Sequence, residues 1–176
     1  MIKKSINIFW IVERIGPYHN ARFNELSKNI NLKINVIETN PNSETYPWDS
    51  NYKNNYQIYK INKNNEKDFN KKKLIKDLNQ NLFRNKPEII FITGWYDISH
   101  YYIMYKSFFK KIPIVLLSDS RVTDHKRIFH KELIKRFLIK GFSSALVAGK
   151  ESKDYFLKLK FKKENIFTPY NVIDNN

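Results

Sequence analysis

Residues 112–147 read IPIVLLSDSRVTDHKRIFHKELIKRFLIKGFSSALV, and this stretch decides the fold. The run from Pro113 to Leu117 is apolar, of strand length and rich in β-branched residues. It turns polar at once through Ser118, Asp119, Ser120, Arg121, Thr123, Asp124, His125, Lys126 and Arg127. A helical pattern follows, in which Phe129, Leu133, Ile134, Phe137 and Leu138 form an apolar arc and Lys131, Glu132, Lys135 and Arg136 lie on the other side. A second apolar run begins at Ser144. Strand, loop, helix and strand in that order are the unit of a parallel sheet. In open sheets of this kind ligands bind beyond the carboxyl ends of the strands, which is where Asp119 and Arg121 fall.

The same alternation continues on both sides. Ile6 to Val12 reads as a first strand, ended by a loop at Gly16-Pro17. The spacing of Phe23, Leu26 and Ile30 predicts a helix from Ala21 to Ile30, with Asn20 as its N-cap. Leu32 to Ile37 is a second strand, and the crossover between the two is expected to be right-handed. A long polar loop leads to a short strand, Gln57 to Ile61, and then to a helix from Asp68 to Phe83 with Leu74, Ile75, Leu78 and Leu82 on one stripe. Pro87 stops that helix. Glu88 to Thr93 is a buried strand, and Asp97 to Phe109 an aromatic-rich helix expected to pack on both sides. Glu151 to Leu159 and Asn165 to Thr168 complete the pattern as helix and strand. The expected fold is α/β: a Rossmann-like three-layer sandwich with a mostly parallel sheet, one domain over residues 1–176 with no internal repeat.

Composition bounds the function. At 176 residues with 41% hydrophobic and 15% aromatic content, the chain has material for a sizeable core and is not disordered. It has no cysteine, which excludes disulfides and thiolate metal sites and suits a cytoplasmic home. No apolar run approaches the ~18 residues of a membrane span. The apolar run at Ile6 is followed directly by Glu13-Arg14, so a first strand explains it better than a signal peptide. The net charge of +15 has three readings: a composition rich in lysine, asparagine and isoleucine, an anionic membrane surface, or nucleic acid. The charge is dispersed, with an uninterrupted run of three only at Lys71-Lys72-Lys73, which places nucleic acid last.

The chain has four glycines, Gly16, Gly94, Gly141 and Gly149. Gly16, Gly94 and Gly149 follow strands, where a missing side chain lets backbone approach a ligand or relaxes a turn. Gly141 is placed to close the preceding helix in a left-handed conformation. No dinucleotide fingerprint, no phosphate-binding P-loop and no metal motif is present.

Several residues are candidates for chemistry. Gly16-Pro17-Tyr18-His19 precedes a helix, whose free N–H groups suit an anion, and Arg22 adds charge one turn on. His19 is either part of that site or a capping or surface histidine. Trp95, after Gly94, either stacks on a sugar ring or packs. Asp119 either orients or deprotonates a hydroxyl or caps the local turn with Ser118 and Ser120. Arg121, Arg127 and Lys131 either meet a phosphate or carboxylate or form a solvated basic face. His130 falls on the apolar arc and reads as a core histidine, and Glu132 as the i,i+4 partner of Arg136.

The pattern Ser118-Asp119-Ser120, Asp124, Arg127, Lys131-Glu132, Lys135-Arg136, then Ala148-Gly149, resembles the N-terminal half of a family 4 glycosyltransferase of the GT-B fold. GPYHNAR (16–22), YPW (46–48), TGW (93–95) and PYNVIDN (169–175) fit the same family. The resemblance implies the acceptor-side domain of a hexosyltransferase in cell-surface polysaccharide synthesis, with a nucleotide-sugar as co-substrate and no other cofactor. It implies a glycan or lipid-linked acceptor, with Asp119 as the catalytic candidate. Gly16, Tyr18, His19, Arg22, Gly94, Trp95, Ser120, Arg121, Arg127, Lys131 and Gly149 are the implied substrate-binding residues. A C-terminal donor-binding domain is expected as partner, in trans if this chain is half of a split enzyme. The location implied is the cytoplasm, including the inner face of the membrane.

Two departures stand out. Lys160 occupies a helix end where the family has glycine, so that end is expected to differ. The family's pair of donor-binding glutamates, spaced eight apart, is absent. The competing readings are a non-catalytic Rossmann-like binding module and a basic nucleic-acid-binding domain.

Overall fold

A computed structural model describes residues 5–41, 48, 52–61, 70–94, 98–124 and 128–169. Among the described residues seven strands, β1 (Ile6–Val12), β2 (Leu32–Glu38), β3 (Gln57–Lys60), β4 (Ile89–Thr93), β5 (Ile114–Ser118), β6 (Ser144–Val147) and β7 (Ile166–Phe167), form a sheet in the order β3-β2-β1-β4-β5-β6-β7. The pairs β1/β2, β2/β3, β5/β6 and β6/β7 are parallel, with Ile6 opposite Leu32 and Val115 opposite Ser144. The architecture is α/β and Rossmann-like, as the alternation of elements predicts. The chain forms two compact units, the first ending at Phe91 and the second running from Ile92.

In the first unit β1 (Ile6–Val12) and β2 (Leu32–Glu38) are buried over their last five residues; β1 is apolar throughout that part, whereas β2, which alternates in sequence, buries the polar Asn35 and Glu38 there as well. Phe9, Ile11, Val36 and Ile37 make this core with Phe23 of helix α1 (Pro17–Ser27) and Leu78 of helix α2 (Lys71–Asn81). Strand β3 is Gln57–Lys60, and α2 is Lys71–Asn81, capped by the Asn70 side chain, which accepts from the Lys73 N–H. The predicted start of α2 at Asp68 lies outside the described residues.

Helix α1 is Pro17–Ser27, so it begins four residues before the predicted Ala21 and ends before Ile30. Pro17 sits at the first helical position, where its missing N–H costs nothing and its fixed φ suits the helix. Gly16 is the N-cap; Asn20 lies inside the helix, where its side chain accepts from the Tyr56 hydroxyl at 2.9 Å.

The second unit holds the end of β4 (Ile89–Thr93), α3 (Ile98–Lys110), β5 (Ile114–Ser118), α4 (Phe129–Leu138), β6 (Ser144–Val147), α5 (Lys150–Lys158) and β7 (Ile166–Phe167). Ile103, Leu116, Ala145, Val147 and Phe156 are its buried centre. Two helices depart from expectation. Helix α3 is packed on one side only: Ser99, His100, Ile103 and Ser107 are buried, while Tyr101, Tyr105, Phe108 and Phe109 are exposed.

Helix α4 is turned the other way from its predicted arc, with Leu133, Ile134, Phe137 and His130 exposed. The reason is polar. Lys135 Nζ lies 2.8 Å from Glu132 Oε1 and 3.2 Å from the Tyr155 hydroxyl, which donates to Glu132 Oε2 at 3.0 Å. This cluster draws the charged side of α4 against α5. Glu132 is therefore tied to Lys135 and Tyr155, where Arg136 was expected. Burial alone would lower the Lys135 pKa, but its bonds to Glu132 and Tyr155 hold it above the ordinary value. The Tyr155 pKa is raised too, by burial first.

Gly141 lies in a one-turn 3-10 helix and does not take the left-handed conformation. Lysines do so at other ends: Lys86, Lys111 and Lys160 have φ of 51°, 55° and 65°. The helix end at Lys160 is thus left-handed although its residue is a lysine. The Phe161 N–H bonds the Phe156 carbonyl at 3.0 Å and the Lys160 N–H the Leu157 carbonyl at 2.9 Å, the two bonds of a Schellman cap.

Candidate functional site

The loop after β1 is fixed from three directions. The Ile15 N–H donates to Glu38 Oε1 at 2.8 Å, and Arg14 Nη2 to the Trp48 carbonyl. The Trp48 ring lies over Gly16, where an added Cβ would stand 3.1 Å from Nε1; this close approach is what the glycine permits. The Gly16 N–H donates to His19 Nδ1 at 3.3 Å.

His19 is only 7% exposed and lies against Phe23 and Tyr18. Burial first, and the neighbouring Arg22 charge second, lower its pKa to about 4, against the opposing pull of the Arg14 backbone. The imidazole is therefore neutral at pH 7. As a buried neutral group it caps the helix start. Its Nε2 has no hydrogen-bond partner among the described residues. The charge at this helix start comes from Arg22, whose guanidinium stands 5.9 Å from the centre of the Tyr18 ring.

Glu38 was not singled out by the sequence. It is 1% exposed and lines a small cleft with Ile15, Tyr52, Asn54, Tyr56, Ile58 and Lys60. Its Oε2 lies 3.9 Å from Lys60 Nζ. Burial, reinforced by the Glu38 charge, holds the Tyr56 hydroxyl pKa above its ordinary value. The only sequence signal was a lone carboxylate ending an apolar strand.

In the second unit Gly94 closes β4 with φ 76°, a conformation that favours glycine, and its N–H bonds the Leu117 carbonyl at 3.1 Å. Trp95 and Arg127 lie outside the described residues. After β5, Ser118 Oγ accepts the Ser120 N–H at 3.2 Å, and Asp124 Oδ2 accepts the Arg121 N–H at 2.6 Å. The turn is thus capped by Ser118 and Asp124. Asp119 is exposed, and its main-chain carbonyl accepts from the Ser152 hydroxyl at 3.0 Å. That fixes the backbone beneath the carboxylate.

Arg121 lies 3.4 Å from Asp124 and 3.5 Å from Glu151, so two carboxylates already share its charge. Lys131 is exposed on α4. Gly149 is the N-cap of α5 in an extended conformation open to any residue, with space where a Cβ would stand. No group of three His, Cys, Asp or Glu side chains among the described residues is placed to hold a metal. The geometry offers an exposed, backbone-anchored carboxylate beyond β5 and a cationic helix start beyond β1. The first suits directing a hydroxyl, the second an anionic group.

A parallel α/β sheet with such loops beyond its strands has the architecture of a GT-B-like half-domain. Among solved structures, the chain is similar to UDP-GlcNAc 2-epimerase from Neisseria meningitidis bound to UDP-GlcNAc, with TM-score 0.62 and 15% identity over 92% of this chain and 45% of that one. It is similar to MnaA of S. aureus in a co-structure with UDP, at TM-score 0.61 and 16% identity over 93% and 44%. The UDP-GlcNAc 2-epimerase of Methanocaldococcus jannaschii gives 0.58 and 14% over 92% and 45%. The chain spans less than half the length of these neighbours, and at such identity the likeness is one of fold. No protein-family model and no curated protein matches the chain.

Proposed function

We propose that this chain acts on nucleotide-linked sugars as one half of a GT-B-like enzyme, and that the reaction is hexosyl transfer to a glycan or lipid-linked acceptor in the cytoplasm. The observation supporting this reading is the Asp119 carboxylate, exposed beyond β5 and free of the capping task that Ser118 and Asp124 perform. A carboxylate so placed can accept the hydrogen of an acceptor hydroxyl and aim its oxygen. The nucleotide-sugar is then held chiefly by a donor-type domain, in cis or in trans.

The solved neighbours favour a second reading, inversion at C2 of a UDP-sugar with no acceptor. One experiment separates the two. The chain, joined to or mixed with a donor-type domain, is given UDP-hexoses and UDP-GlcNAc with and without glycan acceptors, and products are followed by NMR. Transfer gives acceptor-dependent release of UDP, and epimerisation gives C2 inversion with UDP still attached. The 176-residue chain alone is expected to do neither; robust transfer by it alone would overturn the half-enzyme reading.

A further inference from the structure

We propose that the outer face of α3 and α4 docks on an anionic lipid bilayer. On α3, Tyr101, Met104, Tyr105 and Phe108 are spaced i, i+3, i+4 and i+7 and share one stripe. Phe108 is 79% exposed, and Tyr101, Tyr105 and the adjacent Phe109 are exposed with it. On α4 and the turn that continues it, Ile134, Phe137 and Gly141 follow one another at helical spacing, and Phe137 is 74% exposed. The two stripes converge, because the Met104 side-chain methyl lies directly against Gly141. The exposed rings and aliphatic groups therefore belong to one surface within the second unit.

An apolar helix face normally turns inward. Here the polar side of α4 is the packed one, held by Glu132, Lys135 and Tyr155. The apolar side is left as an exposed patch, of the kind that marks an interaction surface. Its rim says which surface it fits. Helix α3 has no acidic residue and carries Lys106 and Lys110, with Lys111 following. Helix α4 carries Lys131 and Arg136, with Lys140 following, and its one acid, Glu132, is paired with Lys135.

A second copy of a chain of net charge +15 would set cations against cations across this face. A bilayer of acidic lipids sets phosphates against the rim and takes the tyrosine and phenylalanine rings at headgroup depth, where aromatic side chains are favoured. No helix among the described residues is long and apolar enough to cross a membrane, so the contact is interfacial. It stands independently of the reaction the chain serves.

The test is co-sedimentation of the full chain with vesicles of phosphatidylcholine alone and of equimolar phosphatidylcholine and phosphatidylglycerol. Binding is expected to the mixed vesicles only. Phe108→Ser with Phe137→Ser should weaken it about tenfold or more, and Lys110→Glu with Lys131→Glu roughly fivefold per cation. Lys33→Glu with Lys53→Glu, on the first unit, should leave it unchanged. Circular dichroism checks that each variant is folded, and Phe137→Gln alone replaces the double variant if that one is not. No binding, equal binding to neutral vesicles, or equal loss in the Lys33/Lys53 pair overturns the proposal. So does a dimer abolished by Phe108→Ser with Phe137→Ser in a chain that ignores vesicles.

Discussion

His19 Nδ1 accepts the N–H of Gly16 at 3.3 Å, so a buried imidazole closes the first turn of α1 from its third position. That bond needs Nδ1 unprotonated, and burial and Arg22 both favour the neutral ring. Folding thus depends on pH with a defined sign. Below the ordinary value of 6.5 the unfolded chain binds a proton that the folded one refuses down to about 4. The stabilisation is complete above 6.5 and falls as pH drops toward 4, by up to about 3 kcal/mol. His19→Gln keeps an acceptor at the same helical position and does not titrate. Urea unfolding of both proteins across this interval is expected to show a steeper acid loss in the wild type. Parallel curves would remove the buried neutral histidine.

Lys160 tests the cost of a left-handed lysine. Its conformation at φ 65° is enforced by the two cap bonds and by the Phe156–Phe161 ring contact, 5.9 Å between centroids. A side chain there costs roughly 1–2 kcal/mol, of which glycine recovers part after its own loss of chain entropy. Lys160→Gly is expected to stabilise the protein by roughly 0.5 kcal/mol, and Lys160→Ala to leave stability near the wild type, because alanine keeps the strain. Thermal unfolding of the pair decides it, and a destabilising glycine would contradict the account.

Strands such as β1 and β5 are legible because burial on both faces leaves a nearly unbroken apolar run, as in Ile114 to Leu117. Apolar spacing places the start of helix α1 too late because its first turn, Pro17 to Asn20, has no apolar periodicity, and the start signal is Pro17 itself. Helix α4 shows a deeper limit. Spacing identifies residues that share a face, yet which face packs was settled by Tyr155, twenty positions beyond Lys135. Asp119 could be found from its place after a strand. Glu38 could not, because its significance comes from the Ile15 N–H and Lys60. His19 was noticed as chemistry, but its burial depends on Phe23 and Tyr18 closing around it.

Glu38 is expected to act as the anchor of the loop after β1. Glu38→Gln keeps a carbonyl oxygen for the Ile15 N–H and should be mild. Glu38→Leu leaves that buried N–H without its acceptor and should cost about 1–3 kcal/mol. The loop should loosen at the same time, seen as faster hydrogen exchange at Ile15. Equal exchange at Ile15 in the wild type and Glu38→Leu would show that Trp48 and Arg14 hold the loop without it.

At the end of β5 Ser118 has a structural task, and the proposed function gives its neighbour Asp119 the chemical one. Ser118 is 8% exposed and its hydroxyl caps the Ser120 N–H, whereas the exposed Asp119 is held through its carbonyl, by Ser152. Asp119→Asn preserves that carbonyl and the side chain's size while removing the charge. In the proposed two-domain assembly it should lower turnover by roughly 10²–10⁴, the range of a lost general base or orienting group. Its melting temperature should stay near the wild type, since no cap is lost. Ser118→Ala should behave in the opposite way, losing about 1 kcal/mol of stability with a missing cap and retaining turnover. Measuring turnover and unfolding on both variants separates the roles, and an Asp119→Asn enzyme with wild-type turnover would exclude Asp119 from the reaction.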